Sequence, residues 1–299
     1  MKMSGAAAGI QDFKEDKDMD RKEYLVCIDS DGCLLDNMEL KHKECFCPAF
    51  VNIWNLQPVS RYARTVWEKV NLYSRSRGTN RFHAVVEALD LVYDLPEVKA
   101  YGLEKPDLAA LKKWKAETPE LSARALREYA EQNPNLPGTL RQAADWSVEV
   151  DANVKRIVRG IKPFVNVEEA LKKLNEFADV VVVSATPTEA LKRELEACGV
   201  LGYFKRVFGQ DEGTKSVCIA KMLEEGYDRD KALKVGDAPG DYKAAEENGI
   251  LYYPIIPGSE IESWALLRDK FADIFKAGVY KGEEMDKRLE LFLSALPEL

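Results

Sequence analysis

Tyr24-Leu25-Val26-Cys27-Ile28-Asp29-Ser30-Asp31-Gly32-Cys33-Leu34-Leu35-Asp36 is the stretch from which the rest of the chain can be read. Five apolar or aromatic residues in succession predict a strand buried on both faces of a parallel sheet. The run stops at Asp29 and Asp31, and Gly32 then allows a sharp turn close to a ligand. In open α/β sheets the chemistry sits beyond the carboxyl ends of the strands. Two acids so close must be solvated, paired or bound to a cation, because like charges resist ionising together. Taken alone, the pair also fits an ordinary acidic surface turn.

The same texture returns far along the chain. Asp179-Val180-Val181-Val182-Val183-Ser184 predicts a second buried strand, ending on Ser184-Ala185-Thr186. Residues 204–208 read as a short strand, Ala232-Leu233-Lys234-Val235-Gly236 as another ending on Asp237, and residues 250–256 as the last. Amphipathic helices fall between them, one capped by Asn166 and one opened by Lys215. Two more helices, over about 260–276 and 283–295, close the chain. Repeated β-α units predict an α/β fold: a doubly wound, Rossmann-like parallel sheet with helices on both faces.

Between these parts the sequence is helical in period from Met38 to about Val158. Helices are expected over 38–56 with a break or kink at Pro48, from a Ser60 cap to Tyr73, and from a Thr79 or Asn80 cap to Tyr93. Three more read as 106–117, 121–132 and 140–158, separated by Pro119 and then by Pro134, Pro137 and Gly138. The expected organisation is a mobile tail over 1–21, an α/β core from 22–36 and 160–299, and an all-helical domain over 37–159. Asn37 and Gly160 are the natural hinges.

The 299 residues are 46% apolar, enough for a proper core. A net charge of −8 argues against a general nucleic-acid or anionic-membrane binder. It leaves room for an anionic substrate, since a metal and a few local cations can reverse the potential inside one cleft. No apolar run has membrane-spanning length, and the Ala-Gly patch over 5–9 is too short for a signal peptide. The six cysteines are expected as free thiols in a reducing cytoplasm. His42 with Cys45 and Cys47 completes no familiar zinc spacing. A homodimer is an open expectation.

The strand ends carry the chemistry. Asp29 and Asp31, Ser184 and Thr186, and Asp237 each follow an apolar strand, and Asp241 lies one short loop further on. In a parallel sheet these ends share one edge. Carboxylates, a hydroxyl and a lysine are what metal-assisted phosphoryl transfer needs, with the acids on Mg²⁺ and cations on the phosphoryl oxygens.

Asp29-Ser30-Asp31-Gly32, Val181-Val182-Val183-Ser184-Ala185-Thr186, Lys215 and Gly236-Asp237-Ala238-Pro239-Gly240-Asp241 resemble the four ordered motifs of the haloacid dehalogenase-like superfamily. The helical domain sits where that superfamily carries a cap. The resemblance implies that Asp29 is a nucleophile forming an aspartyl-phosphate, and that Asp31 is the general acid and then the base for water. A crowded acidic site is expected to keep Asp31 protonated for the first step. Ser184, with the backbone of Ala185 and with Thr186, would hold the phosphoryl group, and Lys215 would neutralise it. Asp29, the Asp31 carbonyl and Asp237 would ligate Mg²⁺, with Asp241 in its inner or outer shell. Asp31 argues against halide removal and phosphonate cleavage. Lys215 lacks the Pro that frequently follows this lysine, and Lys205 is its nearest rival. The implied function is a Mg²⁺-dependent phosphatase acting on a small phosphorylated metabolite. A phosphomutase and a catalytically silent binding protein are the alternatives.

The loop from Tyr73 to His83 gathers Arg75, Arg77 and Arg81 around a predicted helix start. Arginine forks and helix N-termini both suit anions, so Arg77, Asn80 or Arg81 is expected to read the non-reacting end of the substrate. A basic loop paired with neighbouring acids is the alternative.

Overall fold

The computed structural model describes residues 21–118, 121–136 and 138–299. Residues 1–20 of the tail expected over 1–21, and the breaks at Pro119 and Pro137, lie outside the described residues. The sheet contains β1 (Tyr24–Ile28), β2 (Ala178–Val183), β3 (Arg206–Phe208), β4 (Ala232–Gly236) and β5 (Leu251–Pro254). All neighbours are parallel, in the order β3-β2-β1-β4-β5. The chain adds β2 and β3 on one side of β1, then crosses back to add β4 and β5 on the other. The strand order therefore reverses beside β1, the kind of crevice where open α/β sheets bind ligands.

Both faces of this sheet are covered, which is why its central strands read as unbroken apolar runs rather than alternating ones. Val26, Ile28, Val180, Val182, Leu233 and Val235 pack against helices carrying Leu171, Leu191, Trp264 and Phe271. Leu25, Cys27, Val181 and Tyr252 face Cys218, Ile219, Met222, Ala245 and Phe292. Those helices are Val167–Leu174, Thr188–Ala197, Lys215–Leu223, Pro239–Asn248, a run over 260–276 and Glu283–Ala295. Asn166 does not cap the first of them. It sits at φ +74° without a capping bond, and its side chain instead joins Arg268 and the Ile261 carbonyl.

The helical segment between β1 and β2 gathers a hydrophobic cluster of its own, around Phe50, Trp67, Phe82, Trp114 and Trp146. The two connections by which the chain enters and leaves it are tied together. Leu35 bridges Pro163, the Asp36 N–H donates to the Lys162 carbonyl at 3.1 Å, and the Phe164 N–H donates to the Leu34 carbonyl at 3.1 Å. Of the break or kink expected at Pro48 in the first helix, α1 (38–53), the structure shows no break but a change of winding just before it. Proline has no N–H to return to Glu44, and the preceding segment Lys41–Phe46 is π-helical, with the Cys47 N–H reaching five residues back to His42. The next two helices are α2 (Ser60–Asn71) and α3 (Arg81–Asp94). Ser60 begins α2 as its first helical residue and makes no capping bond, whereas Asn80 caps α3 by accepting from the Phe82 N–H. Ala109–Glu117, Ala123–Gln132 and Thr139–Ile157 follow. No described helix is long and apolar enough to cross a membrane.

One residue of α1 ties the stability of this segment to pH. His42 stacks on Phe46 with ring centroids 4.7 Å apart, and its Nδ1 is buried without a partner. Burial, reinforced by the charge of Arg77, pushes its pKa from 6.5 down to about 3. The folded chain then keeps the ring neutral while the unfolded chain protonates below pH 6.5. The stability this provides is complete above 6.5 and is lost as pH falls toward 3. Between pH 7.5 and 5 the native protein is expected to lose about 2 kcal/mol that a His42→Phe variant keeps, read as the difference in urea midpoints at the two pH values.

Candidate active site

β1 hands its register directly to the site: the Asp29 N–H still bonds the Val235 carbonyl at 3.0 Å, extending the β1–β4 ladder by one residue. The chain then turns at Gly32, at φ +73°, with the Leu34 and Leu35 N–H groups closing onto the Ser30 carbonyl. A Cβ on Gly32 would stand 2.6 Å from both Arg77 NH2 and Asp237 Oδ2, so only glycine lets these groups approach the turn. On β4, a Cβ at Gly236 would stand 2.3 Å from the Asp241 carboxyl carbon. That close approach lets Asp241, in the first turn of Pro239–Asn248, fold back to accept from the Ala238 N–H at 3.3 Å.

Asp29, Asp237 and Asp241 converge, with one carboxylate oxygen from each within 4.8 Å of the others, and all three are buried. Three cations face them. Lys215 Nζ lies 3.0 Å from Asp29 Oδ2 and 2.7 Å from Asp241 Oδ1. Lys234 Nζ, wholly buried within β4, lies 3.0 Å from the same Asp241 oxygen. Arg77 sets Nε at 2.8 Å and NH2 at 2.7 Å on Asp237 Oδ2. Asp237 Oδ1 is buried with no hydrogen-bond partner. Three hard oxygen donors, one of them unpartnered away from water, fit a small divalent cation such as Mg²⁺.

Burial raises the Asp29 pKa, and the neighbouring Asp241 charge adds to it against the pull of Lys215. Burial likewise carries Asp237 up to about 7, against Arg77 and with help from Asp29. Asp241 goes the other way: burial is outweighed by Lys215 and Lys234, which hold its carboxyl below the usual range. For Lys215, burial is outweighed by Asp241 and Asp29, and its pKa rises. A divalent cation would relieve the same excess of buried negative charge that raises Asp29 and Asp237.

Asp31 stands outside this cluster, and the expectation that acidic crowding protonates it is corrected. Lys41 Nζ, from α1, lies 2.8 Å from both of its oxygens, Asn37 Nδ2 donates at 2.6 Å, and Thr186 Oγ1 donates at 3.2 Å. Burial raises its pKa, but Lys41 and these two donors outweigh it and hold the carboxyl below its ordinary value. Ser184 follows β2 and shares a 2.6 Å hydrogen bond with Ser30 Oγ, and its Oγ also accepts from the Thr186 N–H at 3.1 Å. Ala185 is exposed at the same edge of the sheet. Lys205, the rival lysine, pairs at 2.8 Å with Asp179 at the opposite end of β2, so Lys215 is the one that reaches the acids.

The basic loop pairs with neighbouring acids, the alternative that the sequence left open. The Arg77 guanidinium is buried on Asp237. Asn80 is occupied as the cap of α3 and donates to the Leu121 carbonyl. Arg81 NH1 pairs with Asp151 at 2.7 Å and Ser147 Oγ at 3.0 Å, and the guanidinium lies over the Phe46 ring. All three therefore have local partners, acids or carbonyls, within the structure. Sequence reasoning missed Lys41 and Lys234. A lysine inside the apolar run of β4 was itself the available signal, since a charged side chain there must be paired. Lys41 carried no comparable mark.

The haloacid dehalogenase-like hydrolase family model matches residues 97–253, just over half of the chain. The match includes Ser184, Lys215, Asp237 and Asp241 and stops short of β1. A search of curated proteins finds the tRNA uridine 5-carboxymethylaminomethyl modification enzyme of Caldicellulosiruptor saccharolyticus, 32% identical over 103 residues. That match covers 34% of this chain and spans only 16% of that enzyme's length. Among solved structures, a candidate phosphoglycolate phosphatase from Lactobacillus delbrueckii subsp. bulgaricus has a TM-score of 0.49 and 16% identity, covering 77% of this chain and 85% of its own. A candidate β-phosphoglucomutase from Thermotoga maritima has a TM-score of 0.45 and 14% identity, covering 84% and 99%. A haloacid dehalogenase-like family hydrolase from Streptococcus pneumoniae has a TM-score of 0.44 and 13% identity, covering 81% and 90%. With more than half of its residues matched in sequence by the family model, this chain belongs to the haloacid dehalogenase-like hydrolases.

Proposed function

We propose that the chain is a Mg²⁺-dependent phosphatase that hydrolyses a small phosphorylated metabolite through an aspartyl-phosphate. The observation that carries this reading is the meeting of Asp29 from β1 with Asp237 and Asp241 from beyond β4, with Lys215 on Asp29 and one Asp237 oxygen unpartnered. Asp29, Asp237 and the Asp31 carbonyl would hold the cation, with Asp241 beside them. Bound there, it would offset charge on the phosphoryl oxygens.

In the first step an Asp29 carboxylate oxygen bonds to phosphorus as the ester P–O bond breaks, and the departing oxygen takes a proton at Asp31. In the second, Asp31 takes a proton from water, the water oxygen bonds to phosphorus, and the Asp29–phosphorus bond breaks to release inorganic phosphate. Lys41 holds Asp31 in the ionised form that the second step needs, so Asp31 must load a proton before the first. Ser184 and the backbone at Ala185 and Thr186 hold the phosphoryl oxygens, and Lys215 neutralises the nucleophile. The helical segment over 37–159 acts as a cap that excludes water and large phosphoproteins. Six free cysteines support a reducing, cytoplasmic setting, and neither nucleic acid nor membrane is a partner in this reading.

A screen of phosphorylated metabolites and p-nitrophenyl phosphate, with and without Mg²⁺, tests it. Net phosphate release that requires Mg²⁺ is expected. A folded protein that releases none with any substrate overturns the reading, and isomerisation of a sugar phosphate without net release assigns a mutase instead.

A further inference from the structure

Arg77 belongs to the helical segment, yet its guanidinium is only 5% exposed and lies on a carboxylate that follows β4. The loop that carries it is seated on the core at several points. The Arg75 N–H donates to the Pro297 carbonyl at 3.1 Å, and the Arg75 guanidinium pairs with Glu298 at 2.6 Å. Gly78, at φ +73°, comes so close to the loop after β4 that a Cβ there would stand 2.6 Å from the Ala238 Cβ. Arg77 NH1 also bonds the Leu72 carbonyl at 3.1 Å, so the guanidinium bridges its own loop and the core acid.

The two oxygens of Asp237 are used unequally. Oδ2 accepts both Arg77 contacts, while Oδ1 is buried with no partner, in a residue that is 1% exposed. A divalent cation among Asp29, Asp237 and Asp241 would bind the same carboxylate that Arg77 already neutralises. Two positive centres on one carboxylate repel each other strongly where water is scarce. Each therefore weakens the hold of the other, and linkage makes the effect reciprocal.

We infer that Arg77 is a tethered counter-ion that couples the docking of loop 72–79 to cation binding, so that a loaded cation loosens the loop and an undocked loop strengthens the cation's hold. The inference rests on the cation site proposed above. It gives Arg77 a positioning role: it sets how tightly Asp237 takes the cation and how firmly the helical segment is shut.

Calorimetric titration of the full chain with Mg²⁺, without substrate, provides the direct test. In Arg77→Met the Mg²⁺ dissociation constant is expected to fall at least tenfold, with Arg77→Lys intermediate, since lysine keeps the charge but loses the two-nitrogen contact. Hydrogen exchange of the native protein gives a measurement independent of any variant: amides over 72–79 are expected to exchange faster when Mg²⁺ is added. An Arg77→Met protein that binds Mg²⁺ equally or more weakly overturns the inference, as does loop exchange that Mg²⁺ leaves unchanged or slows. If native protein and Asp237→Asn both fail to bind Mg²⁺, the cation site itself fails, a result separable from failure of the coupling.

Discussion

Asp29→Asn is expected to lower kcat for phosphate release by at least about 10⁴-fold, because removal of a nucleophile leaves only binding and electrostatic stabilisation to act on the substrate. The substitution is close to isosteric, and the surroundings of residue 29 persist in it. Its N–H still donates to the Val235 carbonyl, and Lys215 keeps its 2.7 Å contact with Asp241. Loss of activity without loss of fold is therefore the expected pattern, with near-native circular dichroism and urea midpoint. Initial rates of phosphate release on the best substrate check it. A variant retaining more than a few per cent of native kcat would remove Asp29 from the role of nucleophile. The variant is also expected to show little change in KM, since the phosphoryl contacts proposed for Ser184 and the backbone at Ala185 and Thr186 remain.

The second large effect concerns stability. Asp241→Asn is expected to destabilise the fold by about 3–5 kcal/mol, the usual penalty for leaving a buried charge uncompensated. Lys234 is the reason. Its side chain is wholly buried inside β4, and its Nζ is held by Asp241 Oδ1 at 3.0 Å and the Val235 carbonyl at 3.2 Å. Without the carboxylate, that ammonium keeps neutral oxygens as its contacts, and the charge of Asp29 acts on it only without a hydrogen bond. Lys215 also loses a partner, but it is partly exposed and keeps Asp29. Adding Lys234→Met removes the stranded charge along with its counter-ion, so the double variant is expected to recover more than half of the loss. Urea unfolding of the four proteins in this cycle measures the coupling directly. Equal midpoints for Asp241→Asn and the double variant would show that Lys234 does not depend on Asp241. Activity is not expected to return with stability, because Asp241 stands beside the proposed cation as well as beneath Lys215.

These two expectations draw on different parts of the chain's legibility. The role proposed for Asp29 is what the resemblance of the four ordered motifs implies, since its own stretch also fits an acidic turn; the structure extends the β1–β4 ladder to that residue. The stability role of Asp241 depends on Lys234, and β4 as a sequence says only that something must pair with its lysine. Which acid does so is a matter of register and of the turn at Gly236, where the missing side chain lets Asp241 fold back. Asn166 makes a related point in the opposite direction. It stands where a helix cap belongs, but Arg268 and the Ile261 carbonyl, both from the 260–276 run, compete for its side chain and win.

By itself the sequence determined the parallel sheet, the helical segment inserted after β1 and the convergence of strand-end acids, because these follow from local periodicity and from the rule that parallel strands share one edge. Only the tertiary structure decided how the charges are paired: Arg77 on Asp237, Lys41 on Asp31, Lys234 on Asp241. Buried charges choose partners by distance in a medium that screens them poorly, and those distances are set by contacts between segments up to 160 residues apart.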